Sequence, residues 1–281
     1  MRVRRILLLL AALVALVYGG AIAWLVANET RIVFQAGRPL SASRPDFPYQ
    51  QVDLPRDDGA RQFAWSMPRG DASTWVLFLH GNGATVASRV NISHYRQLRE
   101  LGTSILAPEY RGFAGLDGVP SEASLHADAR ASYQYLRDRL HVPVDRLVIY
   151  GWSLGSAVAV DLASEVPSAA VILEGAPASL VDIGHRRYPF FPIRLLMRNP
   201  FDSISKVDRI RAPMLFIHSP EDVVIPIDEG RRLFAAARGE KTFVEVRGGH
   251  VDSADTDPSV FFGAIRAFLE RHRLTPRMHT D

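Results

Sequence analysis

The chain has 281 residues, 47% of them hydrophobic and 22% charged, which gives one sizeable core and excludes large-scale disorder. It contains no cysteine, so disulfides, thiolate metal sites and a cysteine nucleophile are excluded together. The net charge of +3 equals the contribution of Arg2, Arg4 and Arg5 alone, so the rest is near neutral and nucleic acid is not expected as a partner.

Behind those arginines, Ile6 to Ala27 run without a charge, about 22 residues, long enough as a helix to cross a hydrocarbon core of about 30 Å. Glu29 is the first charge after the run. The positive-inside rule then keeps the N-terminus cytoplasmic and exports the remainder, to the periplasmic side in a bacterium. Residues 1–28 are accordingly read as a membrane anchor. Ala21-Ile22-Ala23 also forms an Ala-x-Ala site, so a secreted product after signal-peptide cleavage stays open. Residues 29–55, interrupted by Pro39, Pro45, Pro48 and Pro55, read as linker and lead-in. A catalytic domain is expected over 56–273 and a tail over 274–281.

Within that domain, Trp75–His80, Ser104–Ala107, Leu147–Tyr150, Ala170–Leu173, Met214–His218 and Thr242–Val246 are short apolar runs with the character of strands covered on both faces. Helices are expected over Ser88–Leu101, Ser121–Leu140, Leu154–Glu165, Asp228–Ala237 and Ser259–Arg273, with Ser121 as a capping serine. Strands alternating with helices predict an α/β fold: a mostly parallel, doubly wound sheet with helices on both faces. Residues 176–202 carry four prolines and an apolar set that includes Phe190 and Phe191. They read as a small lid with these two rings toward the substrate pocket, or as an extra helix on the sheet.

Gly151-Trp152-Ser153-Leu154-Gly155 follows a strand and opens a helix, the setting in which G-x-S-x-G presents a nucleophilic serine on a sharp turn. Flanking glycines let neighbouring backbone approach, and the helix offers its positive end. Trp152 either lines the acyl pocket or packs beneath the turn. His80-Gly81-Asn82-Gly83 ends another strand, and the backbone N–H groups of Asn82 and Leu154 are the expected oxyanion donors; His80 reads as structural. Asp222 and His250 each follow a later strand, giving the order Ser, Asp, His. Imidazole as a class exchanges protons near neutrality, which suits His250 as base. Glu221 and Glu174 are rival carboxylates to Asp222.

Together His80–Gly83, Glu109–Phe113 (EYRGF), Gly118–Glu122 (GVPSE), Gly151–Ala159 (GWSLGSAVA), Glu221–Pro226 (EDVVIP) and Gly248–His250 resemble the α/β-hydrolase superfamily. Within it, they are similar to a membrane-anchored, small-lid branch of depalmitoylase-like serine hydrolases. The resemblance implies a hydrolase of carboxylic esters or thioesters that works through an acyl-enzyme without a cofactor. Its substrate would be a small or lipid-like acyl compound. Acyl transfer and small-amide hydrolysis use the same triad, and a catalytically silent, membrane-tethered scaffold is the alternative of another class. Ala114, Leu116 and Ser156 depart from the branch pattern. The histidines show no metal-ligand spacing and no phosphate-cradling loop is present, so neither metal nor cofactor is expected. Nothing in the sequence sets the oligomeric state.

Overall fold

The apolar runs become strands of an eight-stranded sheet in the computed structural model, which describes residues 2–36, 42–55, 59 and 61–275. The strands are β1 Gln50–Asp53, β2 Phe63–Met67, β3 Thr74–Leu79, β4 Thr103–Pro108, β5 Leu147–Trp152, β6 Ala170–Glu174, β7 Met214–His218 and β8 Lys241–Glu245. Their order is β1-β2-β4-β3-β5-β6-β7-β8. Pairing is parallel from β4 to β8, while β1 and β2 add antiparallel at one edge. Sequence patterning predicts the six parallel strands to within one or two residues and misses the two at the edge.

The helices are α1 Arg2–Phe34, α2 Arg89–Glu100, α3 Glu122–Gln134, α4 Leu154–Glu165, α5 Leu180–Arg187, α6 Ile193–Leu196, α7 Ile227–Ala236, α8 Ser253–Thr256 and α9 Pro258–Arg271. Ser121 caps α3 as expected: its hydroxyl accepts the Ser124 N–H, and the Ser124 hydroxyl accepts the Ser121 N–H. Side chains alternate across the sheet. Leu77, Leu79, Ile149 and Leu173 face a core shared with α3, α4 and the end of α1, whereas Val76, Phe78, Tyr150 and Ile172 face α2 and α9. This double coverage is why the strands read as continuous apolar runs.

Helix α1 does not stop near residue 28. It continues to Phe34, exposed as far as Gly20 and then progressively packed onto the domain. The charge that seemed to end the run, Glu29, is buried, and its carboxylate accepts hydrogen bonds from Arg198 N and Nε and from Asn199 N and Nδ2, at 2.8–2.9 Å. Phe34 is fully buried against Phe201, with ring centroids 6.0 Å apart. Six residues expected in the linker are therefore the docked end of the helix. Residues 37–41 of that linker, 56–58 and 60 at the expected start of the domain, and 276–281 of the tail lie outside the described residues.

Candidate active site

Ser153 stands between β5 and α4 at φ +55° and ψ −121°, a region that L-residues avoid. Surrounding bonds hold it there. Its N–H donates to Glu174 O at 2.8 Å, and its carbonyl accepts the Ser156 N–H at 2.9 Å. The Ser156 hydroxyl reaches Gly151 O at 2.7 Å and Glu174 O at 2.9 Å. The flanking glycines are required by space: a Cβ at Gly151 would run into the backbone of Gly155 and Ser156, and one at Gly155 into the carbonyls of Leu79 and His80.

The Ser153 hydroxyl lies 2.7 Å from His250 Nε2, and His250 Nδ1 lies 2.6 Å from Asp222 Oδ2. Asp222 is held by its own loop after β7, since Oδ1 accepts the N–H groups of Val224 at 2.9 Å and Ile225 at 2.8 Å. The Ser219 hydroxyl donates to Gly248 O and so ties this loop to the one carrying His250. Burial alone would raise the Asp222 pKa. The imidazoles of His218 and His250 and the Ile225 N–H outweigh it and hold the carboxyl well below the usual carboxylate range. A carboxylate there can accept an Nδ1–H from His250, and in that tautomer Nε2 can accept from the Ser153 hydroxyl.

The loop after β3 is braced by α1. Asn82 Nδ2 donates to Val33 O at 2.9 Å, and Gly83 N donates to Phe34 O at 3.0 Å. These are the last carbonyls of a helix, which lack partners within it. Leu154 is the first residue of α4, where backbone N–H groups likewise have no carbonyl one turn back. Asn82, Leu154 and Ser153 all border an open cavity of about 720 Å³, within the range of small-molecule sites.

Some sequence-assigned residues lie elsewhere. Trp152 is buried and does not reach the cavity; it stacks between His94 and His250, with centroids at 5.8 and 6.3 Å. The last position of β5 turns its side chain toward α2 and α9, so the packing alternative holds and the ring supports the plane of His250. Phe190 and Phe191 also miss the cavity. Phe190 is 85% exposed, and Phe191 stacks on Tyr18 of α1 at 5.4 Å. The stretch 176–202 does line the cavity, through Leu180, Ile183, Tyr188, Ile193, Leu196 and Met197 of α5, α6 and their neighbours. Glu174 is engaged on the other face of the sheet by His94 Nε2 at 3.1 Å and Tyr150 Oη at 2.5 Å. Burial disfavours the charged His94 ring, yet the Glu174 charge and the Val90 carbonyl raise its pKa overall. Glu221 is exposed, and His80 is buried 3.0 Å from Glu109.

Sequence reasoning missed the α1 wall of this cavity, formed by Trp24, Leu25, Ile32 and Val33. Its signal was present: Leu25 and Val26 recur as Ile32 and Val33 seven residues later, one face of a continuing helix.

The sequence pattern of the alpha/beta hydrolase family is matched over residues 76–204. An uncharacterized protein of Mycobacterium tuberculosis is 36% identical over 263 residues, covering 92% of this chain and 93% of its own. Alpha/beta hydrolase domain-containing protein 17C of Xenopus tropicalis is 30% identical over 221 residues, covering 71% of this chain and 67% of its own. Among solved structures, a Pyrococcus furiosus esterase is similar in fold, with a TM-score of 0.72 at 20% identity over 84% of this chain and 98% of its own. The esterase domain of a Rhodothermus marinus protein gives a TM-score of 0.61 at 25% identity over 80% and 99%.

Proposed function

We propose that this chain, which belongs to the alpha/beta hydrolase family, is a serine hydrolase that cleaves carboxylic esters or thioesters at Ser153 while held at a membrane by α1. The observation that carries the reading is the hydrogen-bonded line from Ser153 Oγ through both nitrogens of His250 to Asp222. In the first half-reaction Ser153 Oγ attacks the substrate carbonyl carbon as His250 Nε2 takes the hydroxyl proton. Asp222 stabilises the imidazolium, and the N–H groups of Asn82 and Leu154 receive the developing oxyanion. Collapse breaks the bond to the leaving oxygen or sulfur, which takes the proton from His250. Water then attacks the acyl-enzyme by the same route in reverse, releasing the acid and restoring the serine.

Helix α1 is long and apolar enough to cross a membrane, a property that a signal sequence near the N-terminus shares. One pair of contacts supports a retained anchor over a cleaved signal. Tyr18, ahead of the Ala-x-Ala site, donates to Phe190 O at 2.7 Å and stacks on Phe191, contacts that cleavage would remove. Hydrolysis of p-nitrophenyl butyrate by the full chain in detergent tests the chemistry. Ser153→Ala is expected to lower kcat by about 10⁴-fold or more, the scale of losing a nucleophile that acts as a unit with its base. Unchanged turnover in that variant would reject the reading.

A further inference from the structure

The last turns of α1 and the helices opposite them enclose a space that an acyl ester of small size would leave mostly empty. We propose that this space is an acyl-chain chamber with Trp24–Gln35 of α1 as one wall, and that the substrate is a long-chain acyl ester or thioester drawn from the bilayer. The proposal rests on Ser153 being the nucleophile.

The chamber starts at the reacting groups and runs along the helix. Ser153, Asn82 and Leu154 border one end, and Ile32, Leu25 and Trp24 continue the same cavity. The bond from Asn82 Nδ2 to Val33 O fixes which end of α1 meets the nucleophile. From Val33 back to Trp24 the helix covers about 14 Å at 1.5 Å per residue, the length of an extended acyl chain of about ten carbons. A longer chain therefore reaches past Trp24, in the direction of the segment of α1 that is exposed from Arg2 to Gly20. Facing α1 are Ile183, Leu196 and Met197, so the chain would have apolar contacts on both sides, while Arg31 and Arg187 also border the cavity. Glu29, a third charge on this lining, has its carboxylate taken up by Arg198 and Asn199.

The outer side of the same excursion points to lipid as the source. Phe190 and Leu195 are each 85% exposed, and Phe190 is tied to α1 through the Tyr18 hydroxyl. Large apolar side chains left bare beside a membrane-length helix are favourable at the bilayer boundary and unfavourable in water. The chamber thus has its chemistry at the domain end and its other end at the level of the lipid.

The test uses the full chain in phosphatidylcholine vesicles, with p-nitrophenyl butyrate and p-nitrophenyl palmitate as substrates. Leu25→Trp fills the wall far from Ser153. The palmitate-to-butyrate ratio of kcat/KM is expected to fall by about tenfold or more, the discrimination that a few lost methylene contacts provide. Val17→Trp, on the exposed part of α1, is expected to leave the ratio as in the wild type. A small fluorophosphonate that still labels Leu25→Trp shows an intact site; should labelling be lost, Leu196→Trp narrows the chamber from the opposite wall and is read in the same way. An unchanged ratio in the labelled variant, or an equal fall in Val17→Trp, overturns the chamber while leaving the hydrolase reading in place. Failure of the wild type to turn over either ester overturns both.

Discussion

A serine held at positive φ costs about 1–3 kcal/mol, and such strain persists only where the surroundings over-determine it. Here the surroundings are Glu174 O, which holds the Ser153 N–H, and Ser156, which closes the turn with both its N–H and its hydroxyl. Ser156 is one of the departures from the branch pattern, and the hydroxyl gives that departure a physical function as a brace under the elbow. Glu174 contributes through its backbone, while its carboxylate is bound to His94 and Tyr150 and faces away from His250. That separation supports Asp222 over its rival in the proposed triad. Asp222→Asn removes the anion that selects the Nδ1–H tautomer of His250, and kcat is expected to fall by about 10⁴-fold with Glu174 unable to substitute. Steady-state ester hydrolysis at neutral pH checks this, and near-wild-type turnover would return the acid role to another carboxylate. That Ser153, Asp222 and His250 come together was legible in the sequence because each follows an apolar strand in a recognisable loop. The facing of Trp152, Phe190 and Phe191 was not legible, because it depends on strand parity and on contacts with a helix far away in sequence.

Among the elements, the parallel strands were legible because burial on both faces leaves few polar interruptions. The edge strands were not. Gln50–Asp53 is largely exposed, and Phe63–Met67 mixes polar and apolar residues, so neither forms a continuous apolar run. The end of α1 was hidden for a related reason: a buried carboxylate with four hydrogen-bond donors looks, in one dimension, like the start of a solvated linker. That helix end has a mechanical consequence, since its final carbonyls hold the loop carrying one proposed oxyanion donor. Asn82→Ala keeps the backbone N–H but loses the bond to Val33 O. Its kcat is expected to fall by about tenfold with little change in KM, a fraction of the 10²–10³-fold that outright loss of a donor costs. A variant with the kinetics of the wild type would show that the loop holds its shape without α1.

At the scale of the whole molecule, the membrane-length helix and the catalytic fold share residues. The α1 segment that packs onto the domain contributes Phe34 to the core, Glu29 to a buried polar cluster and several side chains to the cavity wall. An anchor joined by a loose linker would leave the site indifferent to the bilayer, whereas under the proposed anchoring a docked helix would set the height and orientation of the cavity relative to the lipid. All of this has a chemical purpose only if Ser153 is a reactive nucleophile. Mapping the site of covalent modification tests that most directly: the full chain in vesicles is treated with a fluorophosphonate, digested, and its peptides weighed. The account predicts a single phosphonyl adduct on Ser153, absent when His250 is replaced by alanine. An unmodified Ser153 in folded protein, or an adduct on a different serine, would contradict it.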